Sequence, residues 1–254
     1  MLSSNIKGFL FDLDGVFHTG DTLLAGASET LSRIRDKKIP FCFLTNTTTK
    51  SKSDLARSLV GMGLKVDESE ILNAPSIAKT YLIRTGNPRV YPLISSSAKE
   101  DLEGIVEDRR NPEAILIGDI GTTWSYELLN QLFHFLQKGA RLVALHKGKY
   151  WQTSEGLMLD IGAFVAALEY ASGVKAEVVG KPSFSFFQAG AERIGLPLSE
   201  CAMVGDDIDS DIGAAQSLGI YGILVKTGKY RESNASRSNV KADIVLNSIA
   251  DLFD

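Results

Sequence analysis

The sequence predicts an α/β fold: a Rossmann-like parallel sheet as the core, with a second α/β domain inserted into it. Three observations carry that expectation. Short apolar runs of strand length, such as IKGFLF (6–11), IPFCFLTN (39–46) and CAMVGDD (201–207), alternate with amphipathic stretches of helix length. Several of these runs end abruptly in acidic, amide or hydroxyl side chains, as strands do when their carboxyl ends line a binding crevice. Those polar strand ends also fall in two clusters, before residue 50 and after residue 175, the split left when a domain is inserted at a loop of its host.

The bulk properties agree. A chain of 254 residues suffices for one large domain or two modest ones, and 44% apolar with 23% charged residues is ordinary globular composition. A formal net charge of -4 gives no general attraction to nucleic acid or to an anionic membrane, so neither is expected as a partner. No apolar run approaches the length of a membrane span, and the start lacks the pattern of a secretory signal, which makes a cytoplasmic location the expectation. Cys42 and Cys201 sit inside apolar runs without metal or redox spacing and suit a reducing compartment. The three histidines are scattered, which argues against a histidine-based zinc site.

Taken in order, the strand at 6–11 is followed by a helix over 27–37, with Leu31 and Ile34 on one face, and by a second strand ending in Thr45 and Asn46. A polar TTTKSKS leads into the helix DLARSLVGMG, which stops at its glycines. Strand and helix alternating at these lengths imply right-handed parallel connections. PSIAKTYLIRTG reads as a helix, RVYPLIS and PEAILIGD as strands, and SYELLNQLFHFLQKG as a helix whose apolar side is Leu128, Leu129, Leu132, Phe133 and Leu136. ARLVALHKGKYW is a strand running into a hairpin or loop, and GAFVAALEYASG a helix closed by glycine. Beyond AEVVGKP come the helix SFSFFQAGAERIG, the strand CAMVGDD, the helix DSDIGAAQSLG, the strand GIYGILVKTG and a last strand, ADIVLNS. The expected division is a core of residues 1–84 and 176–254 with an inserted α/β domain at 85–175.

The chemistry concentrates at strand ends. Asp12 and Asp14 follow the first strand, and residues two apart on a strand point the same way, so the two carboxylates should share a face. Such a pair repels unless a cation neutralises it. Asp206, Asp207 and Asp211 follow another strand, and if the two ends meet they form the all-oxygen site that magnesium prefers. Asp12 is then the candidate nucleophile toward phosphorus. Asp14 is the candidate acid and base, a task that burial would assist by keeping a proton available. Thr45 and Asn46 offer a hydroxyl and an amide to phosphoryl oxygens, and Lys181, ahead of Pro182 in VVGKPS, offers the balancing positive charge.

With these residues in place, the chain resembles the haloacid dehalogenase-like hydrolase superfamily: FDLDGV is similar to its first motif, LTN to its second, GKP to its third and GDDIDSD to its fourth. The long gap between second and third motifs resembles the subgroup with a large α/β cap, to which NagD-like and p-nitrophenyl phosphatases belong. ALHKGKYW, GLMLDIGAFVAALEYASGVKAEVVGKPS and VKTGKY resemble, within it, the phospholysine phosphohistidine inorganic pyrophosphate phosphatase group. The resemblance implies a phosphatase in which Asp12 is transiently phosphorylated and Asp14 is the acid/base. It also implies magnesium held by Asp12, the backbone carbonyl of Asp14 and Asp206, with Asp211 in support. Thr45 and Asn46 would contact phosphate, and Lys181 would stabilise the phospho-aspartate.

His146 and Lys147 depart from the Asn and Asp of the NagD-like pattern, which withholds a nucleotide substrate from the inference. These two are candidate substrate-binding residues of the cap, alongside Trp124, Tyr150, Trp151 and Asp160, while Asp119 reads as a turn cap. The expected activity is magnesium-dependent hydrolysis of a small phosphorylated metabolite, extending to pyrophosphate or phosphoramidates. A homodimer through the cap is a further expectation. The alternatives are a phosphomutase or phosphotransferase using the same aspartate, and a non-catalytic, receiver-like phosphate-binding protein. No P-loop or protein-kinase signature is present.

Overall fold

A computed structural model describes residues 4–153 and 156–253. It divides into two compact units, one of Met1–Thr45, Lys52–Leu72 and Lys181–Asp254, the other of Asn46–Ser51 and Asn73–Gly180. In chain order the first part of the molecule runs β1 (Gly8–Phe11), a short hairpin β2 (His18–Thr19) and β3 (Thr22–Leu23), α1 (Ala27–Asp36), β4 (Phe41–Thr45), α2 (Lys52–Gly61) and β5 (Ile71–Asn73). The chain continues through α3 (Ala74–Arg84), β6 (Val90–Leu93), β7 (Ala114–Ile117), α4 (Tyr126–Gln137), β8 (Arg141–Ala144), the hairpin β9 (Tyr150–Thr153) and β10 (Gly156–Leu159), α5 (Ile161–Ser172) and β11 (Glu177–Val178). It returns with α6 (Phe184–Ile194), β12 (Cys201–Gly205), α7 (Ala214–Ser217), β13 (Tyr221–Val225), α8 (Glu232–Arg237) and β14 (Ile244–Leu246).

The first unit is built on a sheet of order β14-β13-β12-β1-β4-β5. β1 pairs parallel with β12 on one side and β4 on the other, and β12, β13 and β14 continue the parallel array. β1, β4 and β12 are apolar almost throughout because both sheet faces are covered, as parallel sheets require. On one face Phe9, Phe11, Phe17 and Phe43 are fully buried. Phe17 meets Phe11 and Phe43 edge-on, with ring centroids 5.2 Å apart in both pairs, a geometry that adds to the stabilisation from their buried area. On the other face α6 lies close. A Cβ at Gly190 would stand 3.0 Å from methyls of both Leu10 and Leu44, so the glycine sets that approach.

The second unit has its own parallel sheet, of order β11-β8-β7-β6. Its central strands β7 and β8 are buried nearly end to end. The helix boundaries follow capping chemistry: the Ser125 hydroxyl accepts from Leu128 N–H at 3.1 Å at the start of α4, Asp160 caps α5, and Gly173 ends α5 at φ 76. Helix α3, which the sequence reading leaves on the core side of a boundary at 84, belongs to this unit.

Two expectations need correction. The buried stripe of α4 is Leu132, Phe135 and Leu136, an i, i+3, i+4 set, whereas Leu128, Leu129 and Phe133 lie at its margins and are only half-buried. The helix expected over DSDIGAAQSLG is a widened, π-type turn at Ile208–Gly213 followed by the one-turn α7. Asp207 explains the break. Its carboxylate accepts from Asp209 N–H and Ser210 N–H at 3.0 and 2.9 Å, while its carbonyl accepts from both Asp211 and Ile212. Among the described residues, no helix is long and apolar enough to cross a membrane.

Candidate active site

The candidate site lies in the first unit, at the carboxyl ends of β1 and β12. Their register sets Phe11 beside Val204, and Asp12 N–H extends the ladder by donating to the Val204 carbonyl at 2.9 Å. Asp12 and Asp206 therefore leave the sheet side by side. The turn after β12 returns Asp211 to the same place, so that carboxylate oxygens of Asp12, Asp206 and Asp211 lie within 4.8 Å of one another. Lys181 Nζ stands 2.8 Å from Asp12 Oδ1 and 2.8 Å from Asp211 Oδ1. The exposures of Asp12, Lys181, Asp206 and Asp211 are 6%, 4%, 1% and 1%. The Lys181–Pro182 peptide is cis.

Three buried carboxylates around one ammonium leave the cluster negative, and the titration behaviour follows. Burial first, then the Asp12 and Asp211 charges, push the Asp206 carboxyl up to about 8, against a backbone hydrogen bond from Lys229. Burial likewise pushes Asp211 up to about 6, with the Lys181 charge opposing it. Burial acts to lower Lys181, but Asp12 and Asp211 outweigh it and hold the ammonium above its ordinary range.

The donor set fits a hard divalent cation. Asp206 Oδ2 accepts from Lys229 N–H at 2.6 Å, whereas Asp206 Oδ1 is buried without a hydrogen-bond partner among the described residues. A carboxylate oxygen in that condition is unfavourable unless a cation meets it.

Asp14 differs from its expected setting. β1 ends at Phe11, so strand alternation does not extend to Asp12 and Asp14. Asp12 is buried while Asp14 is exposed, its backbone bridged to His18. Thr45 ends β4, next to β1, and is 2% exposed. Asn46 begins the second unit, where its amide oxygen comes within 2.7 Å of a Cβ placed on Gly180.

The second unit engages its candidates internally. Lys147 Nζ is ion-paired with Glu169 at 2.7 Å, and His146 Nδ1 accepts from Gly148 N–H at 3.1 Å. Asp160 caps α5. Trp124 stacks on Phe164 with centroids 4.1 Å apart, and Asp119 accepts from Gly121 N–H at 2.7 Å, closing a turn. The Trp151 side chain lies outside the described residues.

The sequence reading uses the segment after β13 for its resemblance alone and assigns it no site residue, yet it completes the site. The Thr227 hydroxyl donates to the Gly15 carbonyl, and Lys229 N–H holds Asp206. Gly228 is pressed between them: a Cβ there would lie 2.1 Å from Asp206 Oδ2 and 2.4 Å from Gly15 Cα. The available signal was the pair of glycines, in LDG and in TGK, each at the end of a strand-like run.

Fold and site together define a hydrolase of the α/β type with an acidic, lysine-bridged centre. A sequence model of the haloacid dehalogenase-like hydrolases matches residues 9–105, and a second HAD-hydrolase-like model matches 178–252. The chain is 36% identical over 257 residues to human phospholysine phosphohistidine inorganic pyrophosphate phosphatase, covering 99% of this chain and 94% of that protein. It is 40% identical over 234 residues to human haloacid dehalogenase-like hydrolase domain-containing protein 2, covering 92% and 89%. Among solved structures, a 4-nitrophenylphosphatase from Thermotoga maritima superposes with TM-score 0.91 at 31% identity, covering 98% of this chain and 96% of that one. The chain belongs to the haloacid dehalogenase-like hydrolase family, as an enzyme of its phosphatase group.

Proposed function

We propose that this protein is a magnesium-dependent phosphatase that acts on a small phosphorylated metabolite through a phospho-aspartate at Asp12. The observation that carries the reading is the Lys181 ammonium 2.8 Å from both Asp12 and Asp211, beside a buried Asp206 oxygen that no group among the described residues satisfies.

In the first step an Asp12 carboxylate oxygen attacks phosphorus, the bond from phosphorus to the leaving oxygen breaks, and Asp14 gives that oxygen its proton. In the second step water attacks the same phosphorus, Asp14 accepts the water's proton, and the phosphorus–Asp12 bond breaks to release phosphate. The exposure of Asp14 supports this role, because it leaves the carboxyl open to both the leaving oxygen and the attacking water. Lys181 balances charge on Asp12 and the transferring group, and the Thr45 hydroxyl and Asn46 amide donate to phosphoryl oxygens. The side chains of Asp12 and Asp206 and the Asp14 carbonyl would hold magnesium, with Asp211 in support. The ion would supply charge neutralisation among the carboxylates and the incoming phosphate.

Pyrophosphate and phosphoramidates fall within the same chemistry, and the name of the human phosphatase relative supports extending the substrate range to them. We assign the inserted unit, including His146 and Lys147, to leaving-group selection. Asp12→Asn should reduce multiple turnover by about 10³-fold or more with the fold intact, judged by circular dichroism. Hydrolysis at the parent rate would refute the nucleophile assignment. Phosphoryl transfer from labelled substrate to an added alcohol in preference to water would indicate a transferase instead.

A cytoplasmic setting is supported by the thiols Cys42 and Cys201, both unpaired and buried and pushed by burial up to about 12 and about 11. Homodimerisation through the second unit is supported by Tyr150 and Leu159, which pair across the β9–β10 hairpin with 59% and 69% of their surfaces exposed.

A further inference from the structure

We propose that Ser95 and Asn73 are positioning residues: they latch the loop that follows β4, so that the Asn46 amide meets phosphoryl oxygens already in place. This inference rests on the phosphatase reading above and adds the groups that hold its phosphate-binding loop.

The loop is anchored to the second unit. Asn46–Ser51 belongs there, although β4 before it and α2 after it belong to the first unit. The loop lies in neither a strand nor a helix, so its backbone groups need partners from elsewhere. Side chains of the second unit supply them at three consecutive residues. The Ser95 hydroxyl donates to the Thr49 carbonyl at 2.7 Å, the Asn73 amide nitrogen donates to the Lys50 carbonyl at 3.3 Å, and Ser51 N–H donates to the Ser97 hydroxyl at 2.8 Å.

The latching groups are themselves fixed. Asn73 is fully buried; its oxygen caps α3 by accepting from Ser76 N–H at 3.0 Å, and its nitrogen also donates to Asp101 Oδ2 at 2.6 Å. Ser95 stands just past β6, after the buried Ile94. Its hydroxyl accepts from Ala98 N–H at 3.2 Å while donating to Thr49, so its one hydrogen is directed at the loop and its lone pairs serve the turn. The chain is therefore held at Thr45, the end of β4, and again at Thr49, with Asn46, Thr47 and Thr48 between. A short span pinned at both ends loses little further freedom when a phosphoryl group arrives, whereas a released one must be ordered at every binding event. The shorter Ser95 bond should contribute more than the long one from Asn73.

The test measures kcat/KM for 4-nitrophenyl phosphate and the inhibition constant of inorganic phosphate, both with magnesium. Ser95→Ala should lower the first and raise the second about tenfold, with the melting temperature near that of the parent, and Ser95→Thr, which keeps the hydroxyl, should return both toward the parent. Asn73→Asp combined with Asp101→Asn exchanges the ends of the 2.6 Å bond and keeps the α3 cap, so it removes only the donation to Lys50; it should weaken phosphate about threefold. A double-mutant cycle separates positioning from general damage: in an Asn46→Ala background, Ser95→Ala should cost less than about twofold, because the group it positions is gone. The same loss in both backgrounds would overturn the proposal, as would parent values in Ser95→Ala when Asn46→Ala is impaired. A parent that hydrolyses no phosphate ester with magnesium would overturn the phosphatase reading itself.

Discussion

Gly15 and Gly228 hold the most restrictive positions in the site. Both adopt positive φ, 84 and 59, and both face Asp206 Oδ2 at distances no Cβ tolerates, 1.9 and 2.1 Å. Gly228→Ala should therefore move Asp206 or unlatch the 227–229 loop, and kcat should fall about a hundredfold while circular dichroism stays that of the parent. Magnesium titration followed by intrinsic fluorescence should show weaker binding; parent kcat and affinity would show the packing to be slack. At this scale the sequence reveals charge more readily than depth. Asp12, Lys181, Asp206 and Asp211 are legible because ionised groups after apolar runs need a reason to be there. Lys229 is not, because a lysine after TG looks like any solvated turn residue, and only the Asp206 contact distinguishes it. Asp14 misleads for a related cause: alternation applies within a strand, and β1 stops one residue before Asp12.

Among the elements, the turn at Ile208–Gly213 illustrates how local chemistry overrides periodicity. IDSDIGAAQ has helical spacing, yet the Asp207 carboxylate captures the N–H groups of Asp209 and Ser210, and the opened turn delivers Asp211 to Lys181. Asp207→Ala should destabilise the protein by about 1 kcal/mol in urea unfolding. It should also lower kcat by more than that loss implies, since Asp211 is released; Asp207→Asn, which retains an acceptor, should recover most of both. If Ala and Asn behave alike, the cap does not position Asp211. The strands β1, β4, β6, β7, β8, β12 and β13 were legible because both their faces are buried, giving unbroken apolar runs. β5 and the β2–β3 hairpin were not: strands of two or three residues carry no period, and pairing partners distant in sequence decide them. In α4 the spacing was legible and the phase was not, because the row of apolar residues is wider than the stripe that packs.

For the molecule as a whole, two segments far apart in sequence supply one acidic centre. Building the centre has a consequence for stability that depends on pH and on metal. The folded state raises Asp206 from 3.8 to about 8 and Asp211 from 3.8 to about 6, so between those values the folded protein keeps protons that the unfolded chain has released. Raising the pH therefore favours unfolding: the penalty is absent below about pH 4, grows through neutrality and is complete above about pH 8. Lys181 does not alter the slope in this window, because its raised value keeps it charged in both states until the unfolded value of 10.5 is approached. Metal-free protein should accordingly melt at lower temperature at pH 8 than at pH 5, and magnesium should raise the melting temperature more at pH 8 than at pH 5. Asp206→Asn removes the larger contribution, so the metal-free variant should melt about 2–5 °C above the metal-free parent at pH 8, gain nothing from magnesium and have no activity. A parent and an Asn variant with the same pH slope would mean that the crowded carboxylates cost the fold nothing, and that Asp206 Oδ1 needs no cation to be buried.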